Sequence, residues 1–283
     1  MKAKLLIVLF VLLVSPLVFY ESRRIPPPGG EDIMALPVEI NKVLGAKNTN
    51  PQVSVRVPIL IYHYVEYVKD KNDTFRQKLN IPPHVLTSQV ETLKDAGYTF
   101  INATELANAL SDKQKLPKKV VMLTFDDGYM DFYTDVFPIL KKENVKAVEY
   151  VITDFLNRPN FMFTLQVQEI AKNPLVEVGD HTVNHTWLKG IAKSQAEYEV
   201  SQSKKDLENI IKAPVYSFAY PYGAFDEQAI EAVKNAGFTN AVSTVPGIVH
   251  TNNSEYFLYR LRPGYRTGKD LLDYLEGNSF KAY

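Results

Sequence analysis

The apolar and polar positions of this chain fall into three zones. In the first, Lys2 and Lys4 precede an apolar run from Leu5 to Tyr20, broken by Ser15 and Pro16. The run is apolar on every face, so it lacks the stripe of a helix packed on a core. It is shorter than the roughly 20 residues that cross a hydrocarbon core comfortably and closer to the apolar region of a secretory signal. Phe19, Tyr20 and Glu21 occupy the zone where small residues would mark cleavage. An uncleaved membrane anchor is therefore placed ahead of a cleaved signal for residues 1–20. Arg23 and Arg24 follow the run and leave its orientation weakly set. In the second zone, Pro26-Pro27-Pro28-Gly29-Gly30 makes a stiff-then-flexible spacer, and residues 21–52 read as linker.

The third zone, 53–283, alternates short apolar runs with helical patterns. Strands are expected over 57–65, 98–101, 120–125, 147–152, 175–178, 215–219, 238–243 and 257–261. Helices are expected over 84–96, 104–110, 129–143, 163–172, 194–211, 226–236 and 268–275. Val120-Val121-Met122-Leu123-Thr124-Phe125 is continuously apolar, as a strand covered on both faces is. The alternation belongs to the α/β class, as a parallel barrel or an open doubly wound sheet. In both, chemistry collects where strands end at their carboxyl side.

Composition narrows the chemistry. Lys+Arg and Asp+Glu both count 32, so the formal net charge is zero, and no nucleic-acid partner is expected, since counterion release requires basic excess. The chain has no cysteine, which removes disulfides, thiolate-bound zinc, iron–sulfur clusters and thiol nucleophiles. Any metal must be held by oxygen or by the five histidines, His63, His84, His181, His185 and His250.

Candidate chemistry sits after three expected strands. Thr124-Phe125-Asp126-Asp127-Gly128-Tyr129 places adjacent carboxylates at a turn. Such a pair repels unless a cation shares it; a metal on one carboxylate would leave the other free as a base. The same residues could instead cap the following helix. Asp180-His181-Thr182-Val183-Asn184-His185 carries two histidines four apart, the spacing that puts two imidazoles on one face of a helical turn. Two imidazoles, a carboxylate and an open position form the ligand set of a hydrolytic metal site. Tyr220-Pro221-Tyr222-Gly223 is either a plain turn with core aromatics or a turn whose Tyr222 N–H can face an oxyanion. Trp187 packs under the metal site or lines a cleft. His84 is expected at a helix start and His250 in a polar loop.

Together these segments resemble the polysaccharide deacetylase family, the NodB-homology domain of carbohydrate esterase family 4, over about residues 55–275. The matching motifs are Thr124–Tyr129, His181–His185 and Pro221–Gly223. The resemblance implies a distorted (β/α) barrel of about seven repeats, forming a single catalytic domain behind the N-terminal hydrophobic segment. It implies metal-dependent removal of acetyl groups from N-acetylated sugars, with Asp126 as general base and Asp127, His181 and His185 binding a divalent metal, usually zinc. The Tyr222 N–H would face the oxyanion.

Two departures from the family pattern carry further expectations. No histidine follows His250, so the C-terminal general acid of many members is missing. Pro58-Ile59-Leu60-Ile61-Tyr62-His63 resembles instead the early Tyr-His segment of the branch that includes biofilm poly-N-acetylglucosamine deacetylases, and His63 becomes the candidate acid. Tyr220 stands where many members have Arg. Arg260 or Arg262 would supply the missing guanidinium, with Arg260 favoured; the alternative is a surface strand with two solvated arginines. The expected substrate is an extracellular, acetylated polysaccharide containing N-acetylglucosamine, met outside the cytoplasm by an anchored or secreted protein. The competing readings are an esterase for O-acetylated polymers and a glycan-binding module that has lost catalysis.

Overall fold

The computed structural model describes residues 53–70 and 72–277. The expected anchor over 1–20 and the linker over 21–52 lie outside the described residues. No helix among the described residues is long and apolar enough to cross a membrane.

The centre of the fold is a parallel, seven-stranded sheet. Its path runs β10 (Asn240–Val242), β9 (Ser217–Ala219), β8 (Val176–Asp180), β7 (Ala147–Val151), β6 (Val120–Asp127) and β2 (Ile59–Tyr62), and β5 (Thr99–Phe100) pairs with the start of β6. The sheet curls. Leu258 bridges to Val242 on β10, while Leu261 bridges to Leu60 on β2. Residues 258–261 therefore join the two outer strands without forming a regular strand, where the sequence pattern predicts one. Arg260 falls between the bridges and donates its N–H to the Val245 carbonyl; the departure from the ladder places it in the interior.

Side-chain alternation divides the core in two. Ile59, Met122, Val148, Tyr150, Ala219, Val242 and Leu258 fill the inside of the curl. Leu60, Leu123, Phe125, Val151, Val178, Phe218 and Ala241 face the surrounding helices. Gly179 makes room on the inside: a Cβ there would lie 2.4 Å from the Tyr150 ring.

Most expected helices are present within one or two residues of their expected ends, including Pro83–Asp95, Ala103–Leu110, Lys193–Ile211 and Glu227–Asn235. The pattern over 129–143 becomes a π-turn at Phe132–Val136 followed by an α-helix at Phe137–Glu143. Pro138 cannot donate the N–H that a continuous α-helix would give to Thr134, which favours a wider turn there. The sequence pattern misses the helix Thr74–Leu79, which buries none of its residues and so shows no apolar stripe; only its cap, Asp73, accepting from the Arg76 N–H, marks it. It also misses the antiparallel pair of β1 (Ser54–Arg56) and β11 (Val249–Thr251). His250 is consequently not in a polar loop. It is fully buried on β11, with Nε2 2.9 Å from the Val57 carbonyl. A pairing across some two hundred residues leaves no local signature.

The inner face also holds a carboxyl at the amino-terminal end of β8, opposite the end that carries Asp180. Glu177 accepts from the Thr104 N–H at 3.0 Å and from its hydroxyl at 3.1 Å. Burial raises its pKa to about 7, against the pull of those bonds. A folded-state pKa above the unfolded value of about 4.3 gives stability that is full below pH 4 and lost as pH rises towards 7. Glu177→Gln should remove this share of the decline, with each kcal/mol appearing as about 2–4 °C in melting temperature. Melts across pH 4–8 that superimpose in shape for both proteins would contradict it.

Candidate active site

Asp126 and Asp127 end β6 side by side, yet they face different surroundings. The register sets Asp126 opposite Tyr150 on the inner face of the sheet. There Arg260 meets it with two bonds, Nη1 to Oδ1 at 2.7 Å and Nη2 to Oδ2 at 2.8 Å. Arg260 is itself 2% exposed and is braced by Nε donating to the Ser243 carbonyl at 2.7 Å and Nη1 to the Thr124 hydroxyl at 3.2 Å. Burial would raise the Asp126 pKa; the Arg260 charge and its bonds overcome burial and hold the carboxyl below its usual range. The reading of two solvated arginines is thereby corrected. Arg260 is a buried partner of a carboxylate, and Arg262 is half-buried beside it. Tyr220 is fully buried and donates its hydroxyl to the Tyr256 carbonyl at 2.9 Å.

Asp127 turns away. Its φ of 87° is left-handed backbone, and neither it nor Asp126 caps a helix, because β6 extends through both. Its Oδ1 lies 3.4 Å from His181 Nε2 and 3.3 Å from His185 Nε2. All the candidate ligand atoms of Asp127, His181 and His185 lie within 4.8 Å of one another. The histidines do not sit on a helical turn, as their spacing suggests. They lie in an irregular loop after β8, with Thr182 at φ 70° and His185 at φ 57°. The loop's left-handed residues, rather than a helical period, bring the two imidazoles together.

This cluster fits a divalent metal. Asp127 Oδ1 is buried without a hydrogen-bond partner. His181 Nδ1 is 2.7 Å from the Ala219 carbonyl; a carbonyl only accepts, so the proton sits on Nδ1 and Nε2 offers its lone pair. Burial lowers the His185 pKa to about 4 despite the nearby Asp127, which leaves that imidazole neutral near pH 7, whereas Asp127 and Asp126 outweigh burial at His181 and raise its pKa. Burial would raise the Asp127 pKa, but His185, His181 and His63 together hold it below the usual range. The separations of 3.3 and 3.4 Å match the edge, roughly 3.3 Å, of a tetrahedron with metal–ligand bonds of about 2.0–2.1 Å.

His63 stands one residue beyond β2. Its strand end is held by Tyr62, whose hydroxyl donates to Gln89 Oε1 at 2.9 Å, and Gln89 in turn donates to the carbonyls of Gly264 and Arg266 at 2.8 Å each. His63 Nδ1 is buried without a partner. Burial lowers its pKa to about 4, against the pull of Asp127 and Asp126. Tyr222, at φ 59° in the turn Pro221–Gly223, puts its ring 4.4 Å from that of His185, and the Trp187 ring is 5.8 Å from the Tyr222 ring. Gly223 keeps the turn tight, since a Cβ there would meet the Thr244 hydroxyl oxygen at 2.0 Å.

The structure thus gathers Asp126, Asp127, His63, His181, His185, Tyr222 and Arg260 around one end of the sheet. His84 sits in the first turn of the helix Pro83–Asp95, with Nδ1 3.2 Å from the Tyr67 hydroxyl. The sequence pattern misses Ser243 and Gln89. Both act through carbonyls or amides that carry no motif.

Known proteins share this arrangement of the chain. The family described as polysaccharide deacetylase matches residues 113–241. A deacetylase of Streptococcus pyogenes, PplD, solved with acetate, is 30% identical and superposes with a TM-score of 0.73 over 81% of this chain and 100% of its own. The putative polysaccharide deacetylase YxkH of Bacillus subtilis (strain 168) is 29% identical over 230 residues, which are 81% of this chain and 76% of that protein. The poly-beta-1,6-N-acetyl-D-glucosamine N-deacetylase of Staphylococcus aureus (strain MSSA476) is 23% identical over 270 residues, 91% of each chain. With its curled parallel sheet, its three motifs in order and a relative at this identity matched over its whole length, the chain belongs to the polysaccharide deacetylase family.

Proposed function

We propose that the protein hydrolyses the acetamide of N-acetylglucosamine units in a polysaccharide, releasing acetate and leaving a free amine. The observation that carries the proposal is the pairing of two unlike carboxylates. Asp127 faces the Nε2 atoms of His181 and His185 at 3.4 and 3.3 Å, while neighbouring Asp126 is turned inward and held by Arg260. One carboxylate is placed as a ligand and the other as a base.

Asp127, His181 and His185 would hold the divalent metal, and zinc suits two imidazoles and one carboxylate. When bound, such an ion acidifies water and polarises a carbonyl. Asp126 accepts the proton of the attacking water as its oxygen adds to the acetyl carbon. Arg260 keeps Asp126 ionised and fixes the direction of its oxygens. The Tyr222 N–H donates to the oxyanion that develops on the former carbonyl. His63 gives a proton to the amine nitrogen as the carbon–nitrogen bond breaks. At rest His63 is neutral near pH 7, so it takes up that proton from solvent as negative charge builds on the substrate and favours its charged form, and Asp126 returns the water's proton to solvent after acetate leaves.

The relatives named for poly-beta-1,6-N-acetyl-D-glucosamine deacetylation support the choice of glycan. Action outside the cytoplasm, with residues 1–20 as anchor or signal, belongs to the same proposal. Acetate release from a panel of N- and O-acetylated glycans, with and without chelator, tests it. Turnover of O-acetyl substrates alone would replace the amide reading, and turnover unaffected by chelator would remove the metal. His63→Ala should lower kcat by about 10²–10⁴, the usual share of a general acid, with metal content unchanged. Near-normal turnover in that variant would exclude the role.

A further inference from the structure

The loop that carries His181 and His185 is unfavourable by itself. Thr182 and His185 both adopt left-handed φ, a strained conformation for residues with a Cβ that persists only where the surroundings enforce it. On one side the loop is held by backbone bonds, from the Thr153 and Asp154 N–H groups to the Thr182 and Val183 carbonyls at 3.2 and 3.0 Å; on the other, one helix adds side-chain contacts. The buried face of Lys193–Ile211 consists of Ala196, Glu199, Val200, Ser203 and Leu207. Two of these five are polar, and both reach the loop.

Glu199, 4% exposed, accepts twice from Asn184. The backbone N–H of Asn184 reaches Oε2 at 3.0 Å and its side-chain amide reaches Oε1 at 3.2 Å. Ser203, one turn along, donates its hydroxyl to Asp180 Oδ1 at 2.8 Å, and the same oxygen accepts the Thr182 N–H at 2.9 Å. The helix thus grips residues 180 and 184 at the two ends of the motif, and Asp180 carries the grip on to residue 182. The side chains of His181 and His185 are left to face Asp127.

We propose that Glu199 is a positioning residue for the metal centre: by clamping Asn184 it holds the His181–His185 loop in its ligating conformation before any ion arrives. This rests on the reading of Asp127, His181 and His185 as ligands. Outer partners of metal ligands contribute about 10–100-fold to affinity, and a clamp on the backbone between two ligands acts in the same way, by removing non-ligating conformations from the unbound state.

The test is Zn²⁺ affinity, read by competition with a chromogenic chelator, on wild type, His185→Ala, Glu199→Ala, Glu199→Gln and Asn184→Ala, with thermal melts of each protein without metal. Glu199→Ala is expected to bind Zn²⁺ about 10–100-fold more weakly, and excess Zn²⁺ should restore its kcat with KM for the glycan unchanged. Glu199→Gln should stay near wild type, since its amide oxygen still accepts the Asn184 N–H and the Asn184 amide can turn its oxygen to the new NH₂. Asn184→Ala, at an exposed position, should show a smaller loss, because the backbone bond remains. A folded Glu199→Ala protein that binds Zn²⁺ as wild type does, or melts lower with unchanged affinity, overturns the clamp and makes Glu199 a structural residue only. If that variant does not fold, Asn184→Ala decides, and unchanged affinity there overturns the proposal. Failure of wild type to bind Zn²⁺, or full binding by His185→Ala, overturns the ligand reading and the clamp with it.

Discussion

Replacing Arg260 with methionine is expected to cost about 3–5 kcal/mol of stability, because it leaves the buried Asp126 carboxylate without its partner. At the size of this domain that is a drop of roughly 6–20 °C in melting temperature. Few single changes elsewhere in the fold should match it. The two side chains are 2% and 3% exposed and share two bonds of 2.7 and 2.8 Å, so water cannot replace what the substitution removes. The double variant Arg260→Met, Asp126→Leu separates stability from catalysis. With both charges gone it should regain most of the lost stability, since apolar replacement of a buried ion pair is often neutral or better. Its deacetylation should remain absent, because the proposed base is gone. A single Arg260→Met protein that melts within two or three degrees of wild type (about 1 kcal/mol by the same scaling) would show that the pair contributes little.

The second large effect concerns the proposed metal ligands. Asp127→Ala, or removal of metal with a chelator, is expected to lower acetate release by on the order of 10³-fold or more. A Lewis acid supplies several kcal/mol of transition-state stabilisation, and each 1.36 kcal/mol is a factor of ten. Asp127→Ala should also lower the melting temperature somewhat, because the imidazoles around Asp127 hold its carboxyl below the usual range and its charge therefore favours the folded state at neutral pH. Metal analysis, activity and melting temperature on the same sample distinguish the outcomes. A variant that loses activity while retaining a full equivalent of zinc would move Asp127 out of the ligand set. A chelated wild type that regains activity on adding Zn²⁺ would support it.

Much of the architecture could be read along the chain because it is local. The continuous apolar run at Val120–Phe125 can only be a strand covered on both faces, and it is. The helices with caps and stripes, such as Asn102 accepting from the Glu105 N–H at the start of Ala103–Leu110, are present where the pattern places them. What the pattern misplaced is non-local. The last strand over 257–261 has strand composition but bridges only at Leu258 and Leu261. The pairing of His250 with Val55 has no short-range signal, so a buried histidine looked like a loop residue. The helical-turn account of His181 and His185 does not hold, although the two imidazoles do come together. Their spacing suits a helix, but Gly179, Asp180 and the left-handed Thr182 and His185 keep the segment as strand end and loop.

By itself, the sequence determined the alternation of strands and helices, the family resemblance and the identity of the acidic and histidine residues at three strand ends, since each is written in a short run of neighbouring residues. Only the tertiary structure decided which of the two adjacent aspartates faces the imidazoles, that Arg260 rather than Arg262 pairs with the other, and that Glu199 and Ser203 of the following helix bond to the histidine loop. Those outcomes depend on strand register, on a backbone turn at φ 87° and on contacts between segments far apart in the chain, where a side chain's partner is set by packing rather than by its neighbours in sequence.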